Sequence, residues 1–155
     1  MTYTLYYSPG TASLCVHWML VELGVPFELV KLDLEAKAQK DADYLRLNPS
    51  GQVPTLIVDG APVTESAAIL MLLAERHPQG GFAPSPGHAE RADYLSLMVY
   101  LANVLLPSFR NWFYVGDFAG AAHEADSLDH AKGRIEAVWS QLDARLADGR
   151  DYLTG

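Results

Sequence analysis

The chain has 155 residues, half of them hydrophobic, and its 19 acidic against 11 basic side chains leave a formal net charge of -8. That is ample material for a core and excludes a disordered chain, while an acidic surface with no basic stripe excludes nucleic acid as the main partner. A single cysteine, Cys15, excludes an internal disulfide, a Cys-x-x-Cys redox pair and a thiolate zinc cluster, and fits a reducing cytoplasm.

The N-terminus has no basic segment ahead of an apolar run and no window reads as long enough for a membrane span, so a soluble protein with no membrane partner is expected. Thr4 to Tyr7 reads as a strand broken by Ser8-Pro9-Gly10. Thr11 to Leu23 reads as a helix stopped by Gly24 and buried on two sides, since only Ser13, His17 and Glu22 interrupt its apolar surface. Phe27 to Leu32 is a second strand, completing a right-handed βαβ unit. Lys37 to Leu47 is polar and weakly amphipathic, suited to covering a sheet edge. Thr55 to Val58, Asp59-Gly60 and Val63 read as a hairpin, and Ser66 to Arg76 as a helix.

His77 to Gly87 holds three prolines and three glycines, the composition of a linker, so domains are expected over 1–78 and 88–155. Beyond it, Tyr94, Leu97, Met98, Leu101, Val104 and Leu105 recur at helical steps, as do Leu128, Ile135, Val138, Leu142 and Leu146. Asp117 to Asp129 reads as a solvated acidic loop. The five histidines show no metal-ligand spacing, so no metal is expected.

The chemistry concentrates in Asn48-Pro49-Ser50-Gly51-Gln52-Val53-Pro54-Thr55 and in Thr64-Glu65-Ser66. An X-Pro bond is where a cis peptide is accessible, and a cis turn before Pro54 leaves the Val53 N–H and C=O free to pair with an extended peptide as an added strand would. Glu65 offers a carboxylate to an ammonium group; Ser66, at a helix head, offers a hydroxyl and free N–H groups to a carboxylate. An extended thiol-bearing peptide with one α-amino acid end fits this set, and glutathione is such a ligand.

These motifs, with Tyr7-Ser8-Pro9-Gly10-Thr11-Ala12-Ser13, closely resemble a bacterial glutathione S-transferase, nearest the beta-like group. The resemblance implies an α/β thioredoxin-like N-terminal domain, an all-α C-terminal domain and a cytoplasmic homodimer. It also implies conjugation of the glutathione thiolate to hydrophobic electrophiles. Residue by residue, it implies that Val53 pairs with the cysteinyl backbone, that Pro54 is cis, and that Glu65 and Ser66 hold the γ-glutamyl end. Lys37, assisted by Gln52, would meet the glycyl carboxylate. Two departures stand out. Ala12 occupies the position of the family's cysteine, which Cys15 does not replace, and Leu106 and Val99 stand where a histidine and an asparagine are usual. The chain ends where the family continues into a further capping box and a central helix, so the second domain reads as truncated.

A conjugation needs the thiolate, and a free thiol ionises only near pH 8.5, so donors at the head of the first helix must stabilise negative sulfur. Ser13 and Thr11 are the leading candidates and Tyr7 the next, against a plain capping role for either hydroxyl. Ser13 and His17 share a helix face and form a weaker nucleophile and base pair. Tyr100, Asn103, Arg110 and Trp112 fall in the region that walls the electrophile pocket in the family, against ordinary packing with a kink at Pro107. The rival functions are a non-catalytic glutathione-binding or regulatory protein of the same fold, and a glutathione-dependent peroxidase, dehalogenase or isomerase.

Overall fold

The computed structural model describes residues 2–117 and 119–154. The chain divides into two compact units, Met1–Ser85 and Pro86–Gly155.

In the first unit, strands β1 (Tyr3–Tyr7), β2 (Phe27–Lys31), β3 (Thr55–Val58) and β4 (Ala61–Thr64) form one sheet in the order β2-β1-β3-β4. β1 and β2 run parallel across helix α1 (Ser13–Glu22), whereas β3 lies antiparallel to both β1 and β4. Side chains alternate across the sheet. Tyr3 and Leu5 of β1 and Leu56 and Val58 of β3 meet Val16 and Leu20 of α1 and Ile69 and Leu73 of helix α3 (Ser66–Arg76) in the core. Tyr3 also ties β1 to the end of α3, its hydroxyl lying 2.8 Å from His77 Nε2.

Two expectations are corrected in this unit. Helix α2 (Ala42–Leu47), reached through a short 3-10 turn over Ala38–Lys40, does not cover a sheet edge. Its Tyr44 packs 5.5 Å, ring to ring, against Tyr6 of the central strand β1, because Tyr6 points to the face opposite Leu5. Nor is α1 buried on two sides. Leu14, Trp18 and Val21 lie one or two turns apart on the face away from the core and are 62, 64 and 57 % exposed.

In the second unit, helices α4 (Arg91–Tyr100) and α5 (Leu106–Phe113) are joined by a π-helical turn over Leu101–Leu105, in which the Leu106 N–H reaches back to the Leu101 carbonyl. The widened turn sits just ahead of Pro107, which lacks an N–H, so the helix runs on through the proline. The result is one helical segment, Arg91–Phe113, with mean hydropathy 1.3 and 17 % of that window buried. It corrects the reading that no window reaches span length; the same length and composition are met by the core helices of soluble proteins.

Helix α6 (Glu124–Leu146) begins inside the stretch read as a loop, with Glu124 and Asp126 placed in its first turn where the helix dipole favours acids. Leu97, Val138 and Leu142 form the small core of this unit. Asp93 accepts two hydrogen bonds from Arg145, at 2.8 and 2.9 Å, and the Tyr100 hydroxyl donates to Gln141 at 2.8 Å. Those pairings run in opposite chain directions, so α4 and α6 are antiparallel.

Candidate functional site

The sheet register gathers the motifs at one end of the first unit. Tyr6 pairs with Thr55 and Thr55 with Thr64, so the segments that follow or precede them, Tyr7-Ser8, Val53-Pro54 and Glu65-Ser66, emerge side by side. Helices α1 and α3 pack against one another on the same face of the sheet, with Val16 and Leu20 of the one and Ile69 and Leu73 of the other in a shared core.

The Val53–Pro54 peptide bond is cis. The Val53 N–H has no acceptor among the described residues, and Val53 is half-buried between exposed Gln52 and buried Pro54. Behind this edge the Gln52 carbonyl accepts from Asn48 Nδ2 at 2.9 Å and from the Tyr44 hydroxyl. Gly51 has φ +59°, and a Cβ there would lie 2.6 Å from Lys40 Nζ and 2.8 Å from the Gln39 carbonyl. Lys40 closes over the turn, donating to the carbonyls of Ser50 (3.3 Å) and Gly51 (3.1 Å).

Glu65 adopts φ 68° and ψ 114°, a backbone region that a side chain enters at a cost of about 1–3 kcal/mol and that clusters at ligand clamps. Its carboxylate caps nothing, so it remains available to a ligand. Ser66 follows, 8 % exposed, as the first residue of α3; the first intrahelical bond runs from the Ile69 N–H to the Glu65 carbonyl, leaving the N–H groups of the opening turn unpaired within the helix. Lys37 lies in the left-handed region (φ 60°) with an exposed side chain.

At the head of α1 the hydroxyls form a compact cluster. Thr11 Oγ1 and Ser13 Oγ lie 2.7 Å apart and 2.7 and 3.0 Å from the Ser8 carbonyl, so with one proton each, one hydroxyl donates to that carbonyl and the other to its neighbour or to the same carbonyl in exchange. Each also accepts: Ser13 Oγ from the Ser8 N–H and Thr11 Oγ1 from the Ser13 N–H, both at 3.3 Å. Thr11 therefore caps the helix from outside its first turn, and Ala12 offers no side-chain cap. Ser13 is 1 % exposed and Thr11 half-buried. The Ser13 hydroxyl takes its partners from Ser8 and Thr11, while the His17 ring lies against Tyr7 and Phe27, at 6.0 and 5.5 Å. The Cys15 thiol donates to the Ala12 carbonyl at 3.0 Å, and burial pushes its pKa up, away from a reactive thiolate.

In the second unit Tyr100, Asn103 and Arg110 recur at three- and seven-residue steps, and Trp112 falls two residues beyond, on a different face. Arg110 is held by Asp117 at 3.2 Å and lies 5.2 Å over the Tyr114 ring. Trp112, Phe113 and Tyr114 are 42, 69 and 48 % exposed. Among the described residues no group of three or more His, Cys, Asp or Glu could hold a metal ion.

Sequence reasoning missed Tyr44, Asn48, Thr55 and Lys40. Asn48 and Thr55 were visible in their motif, but nothing in the spacing shows that Tyr44 of α2 and Asn48 of the turn donate to one carbonyl while Thr55 of β3 links the two.

The family description "Glutathione S-transferase, N-terminal domain" matches residues 1–75. Glutathione S-transferase GST-4.5 of Xanthomonas campestris pv. campestris is 35 % identical over 154 residues, covering 97 % of this chain and 73 % of that protein. The chain belongs to the glutathione S-transferase family. Among solved structures, a sphingomonad glutathione S-transferase complexed with glutathione is 36 % identical with a TM-score of 0.82, over 98 % of this chain and 73 % of its own. The beta class glutathione S-transferase of Sphingomonas chungbukensis is 32 % identical with a TM-score of 0.81, over the same shares of the two chains. The mixed sheet with α1 and α3 on one face is thus the thioredoxin-like domain of a transferase, and the helices beyond it belong to the all-helical second domain.

Proposed function

We propose that this transferase-family chain binds glutathione along the Val53 edge and delivers its thiolate to a hydrophobic electrophile. The observation that carries the reading is the convergence of three half-sites: an unpaired backbone edge at Val53, a strained and uncapped Glu65 beside Ser66, and a hydroxyl cluster at the head of α1. The cysteinyl backbone pairs with Val53 as an added strand. Glu65 takes the ammonium of the γ-glutamyl end, and Ser66 with the free N–H groups of α3 takes its carboxylate. Lys37 and Gln52 serve the glycyl end. At neutral pH the thiol loses its proton to solvent, the sulfur lone pair forms the C–S bond, and the leaving group departs with its electron pair. Thr11, half-buried beside fully buried Ser13, is the hydroxyl able to turn toward the sulfur, and Ser13 then donates to Thr11 across the 2.7 Å contact. Tyr7 is the alternative donor. Tyr100, Asn103, Arg110 and Trp112 are the proposed electrophile contacts, and a cytoplasmic homodimer is the proposed form.

A second reading, a glutathione-binding protein without turnover, draws on the same cluster, because both hydroxyl protons already have acceptors in the Ser8 carbonyl and the neighbouring hydroxyl. Ultraviolet thiolate absorbance of bound glutathione against pH separates the two. Conjugation predicts a bound thiol pKa at least about one unit below the free value and a return toward that value in Thr11→Ala; glutathione bound with an unshifted thiol favours the second reading.

A further inference from the structure

Behind the Val53 edge lies a closed set of hydrogen bonds that the proposed roles above leave unused. The Tyr44 hydroxyl and Asn48 Nδ2 both donate to the Gln52 carbonyl. Asn48 Nδ2 also reaches Thr55 Oγ1 at 3.1 Å, and Thr55 Oγ1 lies 2.8 Å from the Tyr44 hydroxyl. With the Tyr44 proton on Gln52, the Thr55 hydroxyl donates to the Tyr44 oxygen and accepts from Asn48, so the ring closes with every proton used. Asn48 Oδ1 is occupied in turn by the Ser50 N–H at 3.1 Å and the Ser50 hydroxyl at 2.6 Å.

Tyr44, Asn48 and Thr55 are 4, 4 and 0 % exposed, and polar groups so buried are tolerated only when fully satisfied. Here the Tyr44 and Asn48 donors converge on one carbonyl, and Thr55 braces both of them from behind. The Gln52–Val53 peptide bond is trans and planar, so the Val53 N–H points opposite to the Gln52 C=O. Holding that carbonyl inward aims the N–H outward.

We propose that Tyr44, Asn48 and Thr55 form a buried clamp that presents the Val53 N–H to the backbone of an extended peptide ligand. They are positioning residues: they set affinity for the ligand's backbone without touching it. This rests on the glutathione reading and deepens it.

The test uses the full chain, with glutathione titrated calorimetrically into the wild type and into Tyr44→Phe, Thr55→Val and Thr55→Ser. Removing a donor or relay hydroxyl raises Kd about five- to thirtyfold in Tyr44→Phe and Thr55→Val, whereas Thr55→Ser stays within about twofold. At saturating glutathione the bound thiol pKa stays within about 0.3 of wild type in all three, because its donors sit at the head of α1. In ligand-free protein the Val53 amide resonance shifts and broadens in Tyr44→Phe and is preserved in Thr55→Ser. A Tyr44→Phe variant that melts lower yet keeps the wild-type Kd and Val53 resonance would overturn the clamp. If wild-type protein does not bind glutathione, the functional reading fails by itself, and the Val53 resonance in Tyr44→Phe still decides the clamp: a change supports it, no change overturns it.

Discussion

Thr11 and Ser13 share one carbonyl acceptor yet should fail in different ways when truncated. Ser13 is 1 % exposed, and its oxygen is the only acceptor found for the Ser8 N–H among the described residues. Ser13→Ala orphans that donor inside a buried turn, which costs about 1–3 kcal/mol. With a urea slope of roughly 2 kcal/mol/M, a 2 kcal/mol loss moves the unfolding midpoint down by about 1 M. Thr11 is half-buried, so water replaces part of what Thr11→Ala removes, and the stability loss should be about 1 kcal/mol or less. The ligand chemistry runs the other way. A hydrogen bond to a charged sulfur contributes about 1.5–3 kcal/mol, so Thr11→Ala should raise the bound thiol pKa by about one to two units. Urea denaturation followed by tryptophan fluorescence and thiolate absorbance of bound glutathione read the two effects separately. A Ser13→Ala protein of wild-type stability, or a Thr11→Ala protein with an unshifted thiol, would refute the division of labour.

Glu65→Gly relieves the positive-φ backbone while deleting the carboxylate, so folding stability should hold or rise slightly, by less than about 1 kcal/mol, as glutathione affinity falls at least about tenfold; paired melts and titrations check this. Gly51→Ala places a Cβ 2.6 Å from Lys40 Nζ at φ +59°, and should destabilise the first unit by about 1 kcal/mol or more in chemical denaturation. Burial raises the Cys15 pKa, so its thiol stays protonated at neutral pH and should react with iodoacetamide at least about tenfold more slowly in folded than in urea-unfolded protein; that burial stabilises below the unfolded thiol's pKa and is lost as pH rises through the raised folded value. Arg145 holds the Asp93 carboxyl below its usual range, so the pair stabilises the second unit at neutral pH and the benefit disappears as pH falls through the lowered value; the melting difference between wild type and Asp93→Asn should shrink on acidification.

The first unit was legible because its signals are local. Alternation along Thr4–Tyr7, the Asp59-Gly60 turn and the apolar run behind Ser66 each act over a few residues, and all were matched by β1, the β3–β4 hairpin and α3. The errors arose where local signals compete with tertiary ones. Pro107 reads as a kink, and nothing local shows that a π-helical turn just ahead of it absorbs the missing N–H so that the helix continues. The acidic stretch around Glu124 reads as solvated loop, yet it heads a 23-residue helix whose buried residues, Ala131, Ile135, Val138 and Leu142, lie further on. At the candidate site, Val53, Pro54, Glu65 and Ser66 were readable from spacing. The Tyr44, Asn48 and Thr55 clamp was not, because a hydrogen-bonded ring among side chains of three different segments leaves no periodic trace.

The most direct test of glutathione docking on the Val53 edge is an amide chemical-shift titration of the full chain with reduced glutathione. The largest saturable shifts should fall on Val53, Glu65, Ser66 and Thr11, and on few amides elsewhere in the first unit. Saturable binding whose shifts lie elsewhere, or an unchanged spectrum at millimolar glutathione, would contradict it.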